Sequence, residues 1–445
     1  MYRDKKASLW MFLIGLGSVT QIYLIGCIGI SELCVFIMAP FMLAKDYSAL
    51  KNNGYLLFLR LLAFSIIALI ISSIYNKTHT AFLIKGIAVD YSIFAHVIVF
   101  HRLLCRNPTS LGWFMLGAAL SGIISIYGFN PQSTLSESGM EFMGAADAEE
   151  IINGPLFWSR RVFEIGLIPI YMCYLNIPMA YVVVVPVVQA AVVLATTVSG
   201  RSATLITLLG VMLMIIGGKS RKRMMLVGRY SILLLLTLCL VVFIYKSLYV
   251  YAATHGMLSD EQTSKYERQT NGRTDIVSMI VSGRIEPFVG LKAAIDAPFI
   301  GHGALPIDDK GYYQSFLEEY GSQEDIERYY AFLRYRASEL AFLMIPTHSH
   351  IVYGWVSRGV VGLLFWLYVL YLMCNHVRKN MSAIPQLYGY FSVMLASYAW
   401  HIFFSPMGVR STFALFIAAI LLAKAVAEGR FFLPVYIERE INKHE

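Results

Sequence analysis

The chain has 445 residues, 57% of them hydrophobic and only 14% charged, with a mean hydropathy of +0.61. Soluble domains carry about 25% charged residues, so the composition excludes an ordinary water-soluble globule and points to an all-α polytopic membrane protein. The formal net charge of +8 then belongs to loop lysines and arginines, and no nucleic-acid partner is expected.

From the N-terminus, "MYRDKK" is basic, but the apolar stretch after it is long and lacks a small-residue cleavage site, so no cleavable signal is expected. Apolar stretches long enough to cross about 30 Å of hydrocarbon recur at roughly 8–25, 27–44, 54–75, 79–101, 109–128, 162–178, 180–199, 202–218, 230–250, 350–374, 385–404 and 410–427. They predict about twelve transmembrane helices. The first two, joined by "GCIGISE", read as a tight hairpin, and the pair around "NIP" (176–178) as another. The six cysteines fall in or beside these runs with no paired spacing, and read as small core residues, not as disulfides or a metal site. Arg60, Lys85 and Asp90 lie inside spans, where a structural ion pair between helices is the favoured account.

Basic clusters at Lys5/Lys6, Lys45/Lys51, Arg102/Arg106, Lys219/Arg221/Lys222/Arg223 and Arg378/Lys379 all fall on one side if twelve spans start from a cytoplasmic N-terminus. The polar insertions 129–161 and 251–347 and the short "SPMGVR" turn then face outward. The expected organisation is an N-terminal transmembrane bundle (1–250, with external loop 129–161), a large external loop (251–347), and C-terminal transmembrane helices with a short cytoplasmic tail (348–445). Within the large loop, "EDIERYYAFLRYRASELAFL" (324–343) has the spacing of an amphipathic helix. An insertion of that length that is not low-complexity reads as a functional lid.

Three segments place cations near the outer ends of spans: Arg201 in "TTVSGRSATL", Arg284 in "SGRIEPFVGLKAAIDAPFIGHG", and His348 in "THSHIVYGWVSRGVVG". A single arginine at a helix end snorkels to headgroups, and a single interfacial histidine is usually a packing residue. Three together on one side favour a site. His348-Ser349, nine residues, then Gly359-Val360-Val361-Gly362 resembles the histidine signature of the O-antigen ligase and O-antigen polymerase superfamily. "SGRSATL" and "SGR…APFIGHG" resemble that family's two arginine blocks, in order, over Arg201 to Gly362.

The resemblance implies a membrane glycosyltransferase of the bacterial inner membrane, with its active site facing the periplasm and needing neither metal nor cofactor. Its donor would be a polyprenyl-diphosphate-linked glycan and its acceptor a hydroxyl on a lipid-linked glycan, both held at the membrane lipid. The residues suit that chemistry. A diphosphate leaving group gathers charge as the glycosidic bond breaks, and an arginine fork neutralises it bidentately. An imidazole suits the base that takes the acceptor proton. Arg201 and Arg284 are therefore expected to grip diphosphate and His348 to act as base. His350, Ser349 and the loop residue Arg273 are substrate-binding candidates, and Gly359 and Gly362 are expected to let two helices approach closely. The variants "SGR…IGHG" and "HSHIVYGW" resemble repeat-unit polymerases more than O-antigen ligases joining glycan to lipid A-core. A lipid-linked glycan transporter is a third reading, disfavoured because its binding groups would lie at midplane, in repeats.

Overall fold

The structure, a computed structural model, describes residues 4–18, 21–23, 27–52, 55–124, 155–196, 201–257, 285–321, 326–327, 329–330, 344–404 and 410–431. Arg273, Arg284 and most of the expected amphipathic helix at 324–343 lie outside them. Among the described residues the chain is helical apart from one small ribbon. In order, the N-terminal helices are α1 (Lys5–Leu16), α2 (Ile30–Asn52), α3 (Leu56–Tyr75), α4 (Thr80–Arg106) and α5 (Ser110–Ile124). Then come α6 (Pro155–Cys173), α7 (Met179–Thr196), α8 (Arg201–Gly217) and α9 (Arg221–Thr254). The chain finishes with α10 (Ile285–Asp296), α11 (Tyr312–Tyr320), α12 (His350–Lys379), α13 (Tyr388–Phe404) and α14 (Arg410–Ala427). Among the described residues, four helical segments are by length and composition apolar enough to cross a membrane, Leu56–Tyr75, Thr80–Arg106, His350–His376 and Arg410–Ala427, fewer than the twelve expected from the sequence.

The expected hairpin at "GCIGISE" is not a pair of helices. α1 stops at Leu16, and Gln21–Tyr23 (β1) pairs antiparallel with Cys27–Gly29 (β2). Twelve residues of helix rise about 18 Å, well short of a bilayer core. The ribbon is pinned where Gly29 N donates to Glu32 Oε2 at 3.0 Å and Ser31 N to Gly17 O at 3.1 Å. The second expected hairpin is present: α6 and α7 meet through the 3-10 turn Tyr174–Asn176, and Tyr181 Oη donates to Gly166 O at 2.8 Å. Pro155 opens α6, seven residues before the expected start, in the position where a missing N–H costs nothing.

Most buried apolar side chains form one core that runs through the helix bundle, with α14 packed along α4 and α13 against α8. A second, smaller cluster joins Ile285, Val289, Ala293, Tyr312, Leu317, Ile345 and Val356. It glues α10 and α11 to the segment that enters α12. Polar contacts hold the same layer. Asp296 at the end of α10 accepts from Lys310 Nζ and Tyr312 Oη, and those bonds hold its carboxyl below the usual range. Burial, then the bond to Asp296, pushes Tyr312 up to about 12.

Candidate functional site

α12 is two helices joined at a sharp turn. Gly359 has φ 61°, ψ −150° inside an otherwise helical run. The rings of His350 and Trp366 lie 4.9 Å apart, whereas sixteen residues of unbroken helix would separate them by about 24 Å. Residues 350–358 therefore fold back along the start of 360–379. A Cβ on Gly362 would lie 1.9 Å from Gly354 O, and one on Gly354 would lie 2.3 Å from Trp366 Cδ1. The close approach expected of the glycine motif is thus between two halves of one segment, not between two separate helices.

The same turn receives the other motif block. A Cβ on Gly359 would sit 2.0 Å from Phe299 O, and Gly301, at φ 78°, has room for its own Cβ only 2.5 Å from Gly359 N. His302 N donates to Val356 O at 2.7 Å, and Trp355 Nε1 to Pro298 O at 3.0 Å. The block is seated in turn on the C-terminal end of α3, where Asn76 Nδ2 donates to Gly301 O at 2.9 Å and Ser73 Oγ accepts from Ala304 N at 3.0 Å. "APFIGHG" and "GVVG" are two sides of one junction.

His348, Ser349 and His350 diverge at the foot of the short half-helix. His348 precedes the helix in left-handed backbone, φ 37°, a conformation that costs a non-glycine residue about 1–2 kcal/mol. Such strain gathers at functional sites. Its side chain is 41% exposed and its Nδ1 lies 3.6 Å from Glu286 Oε1. Ser349 caps the helix by accepting from Val352 N at 3.3 Å, and its hydroxyl donates to Ile402 O at 3.0 Å. His350 turns inward and is buried between Trp366 and Phe413. The two histidines point apart because the backbone is left-handed at His348 and extended at Ser349, before any helix begins.

Arg201 is the first residue of α8. Tyr388 Oη donates to Leu213 O at 2.7 Å, and Gly210 lies against Val393, so α8 and α13 run antiparallel. Continuing that register brings the Arg201 end of α8 to the level of Ile402, the residue Ser349 bonds.

Two further arginines went unread in the sequence. Arg358, one residue before the turn, donates from Nη2 to Asp90 Oδ1 at 3.0 Å, lies 2.8 Å from Oδ2 of the same carboxylate with both charged side chains 3% exposed, and donates from Nη1 to Ser65 Oγ at 3.0 Å. Asp90 is indeed half of an interhelical ion pair, but Arg60 and Lys85 are exposed and take no part in it. Arg410, the first residue of α14, donates to Glu32 Oε1 at 3.1 Å, and the same oxygen accepts from Ser92 Oγ at 2.7 Å. A charge inside an apolar segment was the available signal for Arg358.

Residues 185–367, under half of the chain, match the family model described as O-antigen ligase. The matched stretch contains Arg201, the 297–303 turn, His348 and Gly359. No curated protein matches the chain.

Proposed function

Residues 185–367 belong to the O-antigen ligase and polymerase superfamily, and from that premise we propose a membrane glycosyltransferase that moves a polyprenyl-diphosphate-linked glycan onto a sugar hydroxyl, as a repeat-unit polymerase. The observation that carries the site is His348: strained, partly exposed, and standing at the foot of the half-helix whose other end forms the junction of the motif blocks. In this reading His348 takes the proton of the acceptor hydroxyl. The oxygen attacks the anomeric carbon, and the bond to the diphosphate breaks with its electron pair leaving on phosphate. Arg201 and Arg284 neutralise that leaving group without a metal ion. With the 251–347 segment outside, as the basic clusters of the sequence suggest, this chemistry would lie at the periplasmic face of the inner membrane. Ligation to lipid A-core is the second reading, favoured by the description of the matched family.

Purified protein in nanodiscs, given lipid-linked repeat unit, should make longer glycan; with lipid A-core as acceptor, a ligase would make a single transfer. His348→Ala should slow transfer about 10²–10⁴-fold and recover partly at alkaline pH, where hydroxide substitutes for the base. Arg201→Lys and Arg284→Lys keep charge but lose the fork, and should be severely impaired at every pH. Wild-type rates from both lysine variants would remove the arginines from the mechanism.

A further inference from the structure

The histidine of the site has a carboxylate beside it that no motif contains. Glu286 stands in the first turn of α10, four residues before Gly290. Gly290 is where α10 comes against the segment entering α12: a Cβ there would meet Val352 Cγ1 at 2.6 Å and Thr347 Cγ2 at 2.9 Å. Residues four apart share a helix face, so the contact that seats Gly290 on Thr347 also turns Glu286 toward His348. Ile285 and Ile345, in the small apolar cluster, fasten the two strips of chain on either side.

The two ends of the imidazole are unlike. Nδ1 is buried, makes no hydrogen bond within 3.5 Å, and faces Glu286 Oε1 at 3.6 Å. The side chain as a whole is 41% exposed, so the open edge of the ring is the one that carries Nε2. A base needs one nitrogen free to receive a proton, and the partner of the other nitrogen decides which tautomer is present. Hydrogen bonds of this kind are often long before substrate binds and tighten in the complex.

We propose that Glu286 is the positioning residue of His348, accepting from Nδ1–H and so leaving the Nε2 lone pair directed at the acceptor hydroxyl. When Nε2 takes that proton, the charge appearing on the ring is faced by the Glu286 carboxylate, whose own proton count does not change. The strained backbone at His348 then has a purpose: it turns the ring out of the path of the half-helix and onto α10. This inference rests on the reading of His348 as the base.

The test is a double-mutant cycle on the full chain in nanodiscs, measuring kcat and KM with lipid-linked repeat unit. Glu286→Ala should lower kcat by about 10-fold up to the full loss seen for His348→Ala, with little change in KM. Glu286→Gln should be slowed nearly as much, because it keeps the shape but removes the charge facing the ring, and its amide N–H can donate to Nδ1 and hold the unproductive tautomer. The double variant Glu286→Ala/His348→Ala should be no slower than His348→Ala alone, since a partner that acts through the imidazole has nothing left to orient. Losses that multiply in the double variant, or a glutamine variant as fast as wild type, would reduce Glu286 to a packing residue. A wild-type rate from Glu286→Ala with an inactive His348→Ala would overturn this proposal alone. A wild-type rate from His348→Ala would overturn the base assignment and Glu286 with it.

Discussion

At the scale of single residues, Arg358 is the most consequential side chain outside the proposed chemistry. Its guanidinium reaches back from the rim of the Gly359 turn and ties the short half-helix to both α3, through Ser65, and α4, through Asp90. Both charges are withdrawn from solvent, so each is tolerable only because of the other. Removing one partner of such a pair strands the second and costs about 3–5 kcal/mol, whereas replacing both with apolar groups of similar volume is often neutral. Asp90→Ala should therefore lower the thermal midpoint in detergent far more than Ser65→Ala. The double variant Asp90→Leu/Arg358→Met should recover much of that loss. An Asp90→Ala protein as stable as wild type would show that the pair does not anchor the half-helix.

At the scale of elements, the turn at Gly359 converts one hydrophobic run into two packed pieces, and this is the feature least visible in the sequence. Hydropathy reports only that 350–374 is continuously apolar, and a fold-back inside such a run leaves apolar composition unchanged. The glycine spacing marked the place but not the partners, because the atoms that crowd Gly359 belong to Phe299 and Ile300, about sixty positions upstream. The ribbon at 21–29 escaped for a related reason: "QIY" and "CIG" are apolar enough to extend a helix, and only pairing across the turn distinguishes them. The ion pair was half legible. Asp90 inside a span demanded a partner, yet nothing local indicates that the partner is 268 positions away. By contrast, most of the described bundle helices overlap the apolar runs read from the sequence, because apolarity is a local property, although among the described residues only four are long and apolar enough to span a membrane.

The turn is open to a direct comparison between glycines. Gly359 and Gly256 both have positive φ, 61° and 65°, but a Cβ on Gly256 would meet nothing within 4 Å. Gly256→Ala should cost only the strain of a left-handed residue, about 1–2 kcal/mol. Gly359→Ala adds a methyl 2.0 Å from Phe299 O, which must push the 297–303 block off the turn. It should be much less stable than Gly256→Ala and should lose transfer activity, since the segment that carries Glu286 and the one that carries His348 meet there. Equal thermal midpoints for the two variants would mean the turn can open without cost.

At the scale of the whole molecule, the orientation in the membrane decides whether the His348 site can meet a donor on the outer leaflet. α9 carries the argument. Its 34 residues rise about 51 Å, more than enough to cross a core of about 30 Å and project beyond it. If the basic cluster Lys219/Arg221/Lys222/Arg223 lies in the cytoplasm, as such clusters favour, the chain after Thr254 should emerge outside, ahead of α10 and Glu286. Cysteines introduced at Ser220 and Ser264, with the six native cysteines replaced by alanine, report the two sides. Ser220 suits the purpose because its side chain makes no capping bond, so its loss leaves α9 intact. In intact spheroplasts an impermeant maleimide should label position 264 and spare position 220, and both should react once the membrane is opened. The reverse pattern would turn the molecule over and put His348 on the wrong face for an external glycan donor. Labelling of both positions in intact cells would mean that α9 does not cross at all.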